Sequence, residues 1–132
     1  MQPKLRTTIA FIAGRMITGL DTFSIYDHLQ SKSVTFEGSV SPTYIKIFSN
    51  DRGCYTAGPG EENIFDLYDF GHGHLIDLQI NGNAFKGWDD LTPCHFRGEV
   101  NGEDISFYDD GESKTFFFSL KQPGWLCAYS SK

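Results

Sequence analysis

Cysteine, proline and strong helix-forming stretches are all scarce in this chain, and each shortage narrows what the protein can be. Three cysteines occur in 132 residues: Cys54, Cys94 and Cys127. An odd, low count is a poor basis for a disulfide framework, so a reducing cytoplasm is the expected compartment, with secretion as the alternative. There is no basic run and the formal net charge is −6. That argues against nucleic acid, whose phosphates are met by clustered Lys and Arg, and against an anionic membrane surface. No apolar run approaches the roughly 20 residues of a spanning helix. The opening stretch, MQPKLRTTIAFIAGRMITGL, sets basic residues ahead of apolar ones. Arg15 interrupts it, and the segment from Ile9 to Gly14 is short for the core of a signal peptide. No long window places apolar residues at helical spacing.

What is abundant points the other way. Aromatic residues make up 15% of the chain, with 12 Phe, and 14 Gly accompany them. That pairing suits short strands and tight turns. Five aromatics, Tyr26, Phe48, Tyr68, Trp88 and Tyr108, follow one another at spacings of 22, 20, 20 and 20 residues. The residue three before each is apolar: Phe23, Ile45, Phe65, Phe85 and Ile105. The residue after each is Asp27, Ser49, Asp69, Asp89 or Asp109. A polar loop and a second alternating segment come next, as in Ile76, Leu78 and Ile80 between Asp77, Gln79 and Asn81. Period-two alternation with one polar side describes half-buried antiparallel strands. Asn81-Gly82 and Asn101-Gly102 supply hairpin-turn signals between units.

The expected fold is therefore all-β: an antiparallel meander of about ten short strands from five hairpin repeats of roughly 20 residues. Closure into a pseudo-symmetric barrel removes exposed edges, and a two-sheet sandwich is the alternative. The chain reads as one domain. Its repeats span about 22–42, 43–62, 63–83, 84–103 and 104–120, with a non-repeating tail at 121–132. By similarity to the fifth unit, residues about 7–17 are expected to form an extra strand. In the second unit Pro59 predicts an edge, a bulge or a loop. Phe23, Phe36, Phe65, Phe85, Phe96, Phe107, Phe116 and Phe118 are expected to fill the interior, leaving a packed core rather than a roomy cavity. The apolar-Tyr-Asp pattern with Asn-Gly spacers resembles repeat β proteins of bacteria, and no functional residue follows from that resemblance.

Candidate chemistry is thin. The outward-pointing rings, Tyr26, Tyr68, Trp88 and Tyr108, each beside Asp27, Asp69, Asp89 or Asp109, form the candidate ligand-binding set. Sugars offer an apolar face for a ring and hydroxyls for a carboxylate. Cross-strand packing explains the rings better than a ligand does, and turn capping does the same for the aspartates. Six residues after each marker stand Lys32, Cys54, His74, Cys94 and Lys114, with His95 alongside. Cys54, His74, Cys94 and His95 are weak candidates for a metal, because no local Cys or His pair has ligand spacing. No nucleophile elbow, P-loop or dinucleotide-binding glycine motif occurs. The expectation is a non-enzymatic binding or assembly module without a cofactor, for a small molecule or glycan, with self-association possible. An enzyme or small-ligand carrier using the His, Cys and Asp residues at one barrel end is the alternative.

Overall fold

The computed structural model describes residues 1–120. Segment 121–132, the expected non-repeating tail, lies outside the described residues. Helix α1 (Pro3–Thr18) is followed by ten strands: β1 (Ser24–Asp27), β2 (Lys32–Val40), β3 (Tyr44–Ser49), β4 (Cys54–Glu61), β5 (Ile64–Asp69), β6 (His74–Asn81), β7 (Ala84–Asp89), β8 (Cys94–Asn101), β9 (Asp104–Asp109) and β10 (Lys114–Ser119). Each strand pairs antiparallel with its neighbours in sequence, and β1 also pairs with β10, so the sheet closes into a barrel. The closing seam is short, with Tyr26 opposite Ser119 and Asp27 opposite Phe118.

The segment expected as an extra strand at 7–17 is instead helical, and the helix runs through the barrel. Leu5, Ile9, Ala10, Phe11, Ile12 and Ala13 are fully buried, as is Thr8. A helix surrounded by apolar walls has no solvent side, so its sequence carries no polar stripe and no helical periodicity. Its boundary signals are local. Pro3 stands at the first helical position, and Gly19, at φ 70°, caps the other end by donating its N–H to the Arg15 carbonyl.

Room for the helix comes from glycine. Gly98 faces Phe85 across the β7–β8 pair and Gly87 faces Phe96. A Cβ on Gly98 would lie 2.2 Å from the Ser106 carbonyl oxygen and 2.4 Å from the Phe85 ring. Each ring thus lies over a bare stretch of backbone, and Phe11 of the helix stacks on Phe36 at 4.3 Å. The interior is packed, as expected, but by a helix as well as by phenylalanines. Phe23 is not among them: it is 55% exposed, because it precedes β1 in the link that leaves the helix. Pro59 is neither at an edge nor in a loop. It lies within β4, where pairing to β5 runs from Ala57 opposite Tyr68 to Gly60 opposite Phe65 in unchanged register. No helix is long and apolar enough to cross a membrane among the described residues.

Candidate functional site

Odd-numbered strands all end at the same barrel mouth, and there the alternation has a strong chemical consequence. The parity that sends the marker rings outward sends the next residue inward. Asp69, Asp89 and Asp109 are completely buried, and Asp27 and Ser49 nearly so. Each also caps its own turn. Asp27 Oδ1 accepts the Leu29 amide at 2.9 Å, Asp69 Oδ1 that of Gly71 at 3.1 Å, Asp89 Oδ1 that of Leu91 at 3.1 Å and Asp109 Oδ1 that of Gly111 at 2.9 Å. Ser49 Oγ does the same for the Arg52 amide at 3.1 Å. Turn capping, the structural role expected of these residues, accounts for one oxygen of each carboxylate.

Basic side chains and a hydroxyl meet Asp69, Asp89 and Asp109 as well. Arg6, on the first turns of α1, donates to Asp109 Oδ2 at 3.1 Å and lies 3.4 Å from the Phe116 ring centroid. The Met1 nitrogen is 3.3 Å from the same oxygen. Arg52 Nη2 contacts both oxygens of Asp69, at 2.9 and 2.7 Å. Gly71 makes room for it, since a Cβ there would lie 2.6 Å from Nη2. His74 stands between two carboxylates, its Nε2 2.9 Å from Asp89 Oδ1 and its Nδ1 3.7 Å from Asp69 Oδ2. Neither contact is aligned as a hydrogen bond. Thr92 donates its hydroxyl to Asp89 Oδ2 at 2.7 Å. Buried charges survive only when paired in this way. Burial pushes the Asp69 carboxyl up, but the hydrogen bond and charge of Arg52, the Gly71 amide and His72 together outweigh it. The net result lies below the ordinary carboxylate value.

The two thiols among the described residues, Cys54 and Cys94, are poorly placed for chemistry. Burial raises the Cys54 thiol above its ordinary value, against the pull of Arg52, so it stands as a neutral thiol rather than a nucleophilic thiolate. Cys94 Sγ is 3.9 Å from Asp109 Oδ1. Of the metal candidates, His74 and Cys94 face the barrel mouth, Cys54 adjoins Arg52, and His95 points outward against Trp88 at 4.7 Å. No three His, Cys, Asp or Glu side chains among the described residues converge where an ion could sit.

Outside, the marker rings are partnered. Tyr26 meets His28 edge-on at 5.0 Å, Phe48 meets Tyr55 at 5.0 Å and Tyr68 meets Phe70 at 4.8 Å. Tyr108 lies under the Arg97 guanidinium at 4.5 Å. The expected subsites, each a ring beside its own aspartate, therefore do not form: rings and carboxylates occupy opposite sides of the wall. A groove of about 710 Å³ does cross the outer wall from β5 to β10, near the hairpin turns after the even-numbered strands. Ile64, Ile80 and Tyr108 line it together with Gln79, Lys86, Arg97, Glu99 and Ser106. Tyr108 alone of the five marker aromatics borders it.

Sequence reasoning missed Arg6 and Arg52. Arg6 lies in the helix that read as a strand, and Arg52 stands in an ordinary-looking turn. The inward direction of the aspartates was readable from parity alone. In comparisons with family models, curated proteins and solved structures, nothing matches this chain.

Proposed function

We propose that this protein is a non-catalytic binding module whose ligand, a saccharide, occupies the outer groove across β5–β10. One observation carries the reading: a single concavity places apolar Ile64 and Tyr108 beside hydrogen-bonding Gln79, Lys86, Arg97 and Glu99. A sugar needs that mixture, because its ring faces are apolar and its rim is hydroxylated. The groove volume of about 710 Å³ falls within the usual range of ligand pockets. The barrel mouth supports an enzyme less well, since its carboxylates are already engaged with turns and cations. A carrier that encloses its ligand has α1 in the way.

A glycan array followed by isothermal titration tests the proposal. Wild-type protein should bind at least one saccharide class, and Tyr108→Ala should lose that binding. Trp88→Ala, outside the groove, should retain it. Absence of any glycan binding, or binding indifferent to Tyr108→Ala, overturns the reading.

A further inference from the structure

Strand register sets two basic residues against each other on the floor of the outer groove. One cross-strand row runs Gln79, Lys86, Arg97, Tyr108 and Thr115, each directly opposite the next. All five line the groove. Lys86 and Arg97 thus stand face to face, and no other register among the described residues pairs two basic side chains. Directly opposite residues have Cβ atoms about 5 Å apart, close enough for like charges to repel. Lys4, Arg6, Arg15, Lys32 and Arg52 each meet an aspartate. Lys86 and Arg97 are exposed and, among the described residues, meet no carboxylate. In a chain of net charge −6, two adjacent cations without an acid of their own are an arrangement that an anion from solution relieves.

Arg97 is the better defined of the two. Its guanidinium lies 4.5 Å from the centroid of the Tyr108 ring, which is half-buried beneath it. Stacking on a ring fixes the guanidinium plane and leaves its N–H fork free at the edge, where it matches the two oxygens of a carboxylate. Lys86 adds a point charge beside the fork. The groove also limits how much negative charge it accepts. Glu99 lies one row over, opposite Ala84 and Ser106, and Glu62 stands at the β4–β5 turn. Both repel a second anionic group, so the groove suits one carboxylate at the row's centre with neutral hydroxyls on either side.

We propose that the saccharide of this groove is an acidic one, a short oligosaccharide with a single hexuronate whose carboxylate sits between Arg97 and Lys86. This rests on the groove reading above and adds the substrate class to it.

Isothermal titration of the full chain tests it with two probes. One is a disaccharide carrying one glucuronic acid, and the other is the same disaccharide with the carboxyl reduced to the alcohol. The acid should bind about tenfold tighter or more, as expected for a charge-assisted pair, and added salt should shrink that preference. Arg97→Gln should bring the two affinities together. Arg97→Lys, which keeps the charge and loses the fork, should retain only part of the preference. Equal affinities, tighter binding of the reduced form, or a preference that survives Arg97→Gln would each overturn the acidic class. Equal affinities that both vanish in Tyr108→Ala would leave the groove reading standing, as would array binding confined to neutral saccharides, while overturning the acidic class. Binding of neither disaccharide together with a blank glycan array would overturn both.

Discussion

The two ends of the barrel handle the same helix in opposite ways. At the carboxylate mouth α1 enters among buried charges, with Arg6 and the Met1 nitrogen against Asp109 and with Arg52 against Asp69 nearby. At the far end it leaves under a glycine cap. There the Arg15 guanidinium, largely buried, reaches Asp21 at 3.2 Å, and Asp21 is 84% exposed. Beside it, the inward residues Ile105 and Leu120 press on Gly14 instead of bearing charge. One end is therefore specified by electrostatics in a dry site and the other by apolar contact and local backbone geometry. The difference gives the helix its direction. A reversed helix would bring its carbonyl end and partial negative charge to the aspartates.

The largest effect should follow from removing a carboxylate at the charged mouth. Asp109→Ala leaves Arg6 buried without its partner and frees two turn amides, and it should cost about 3–5 kcal/mol in urea unfolding. A loss under 1 kcal/mol, comparable to that at the far end, would dissolve the contrast. Acid should act at the same mouth. The folded Asp69 carboxyl titrates below its ordinary value, so its stabilisation is complete above the unfolded aspartate pKa, about 3.9. It is lost as pH falls through the folded value. Unfolding midpoints measured down to pH 3 should accordingly fall less steeply for Asp69→Asn than for wild type.

At the far end, Gly19→Ala puts a Cβ on a residue at φ 70° with open space around it. The backbone preference alone should cost about 1 kcal/mol, read by thermal or urea unfolding. Asp21→Asn should have the smallest effect, below about 1 kcal/mol, because an ion pair with so exposed a partner is screened by solvent. A large loss there would mean that Arg15 depends on Asp21 as Arg6 depends on Asp109.

Much of the fold was legible in the chain. Twenty-residue spacing of Tyr26, Phe48, Tyr68, Trp88 and Tyr108, with alternation on either side, identifies hairpins, and avoidance of open edges suggests closure. The turn role of Asp27, Asp69, Asp89 and Asp109 was legible for the same reason: a short carboxylate at a strand end has amides within reach. The inner helix was not. Thr7, Thr8, Ile9 and Ile12 are β-branched, and an element buried on every side has no periodicity to betray it. Pro59 misled because its missing N–H falls at an interruption in the β4–β5 pairing that leaves the register intact. Of the candidate site residues, the rings and aspartates were correctly identified as recurring columns. Their placement on opposite sides of the wall separates them as a site.

By itself, then, the sequence determined the repeat, the strands and the turns, because these rest on contacts between residues close along the chain. Only the tertiary structure decided what fills the barrel and which charges meet. Arg6 and Asp109 are 103 residues apart, and their pairing exists because closure brings the last odd-numbered strand around to the helix. The same closure turns a row of turn-capping aspartates into a buried ring, and burial makes their charge partners matter.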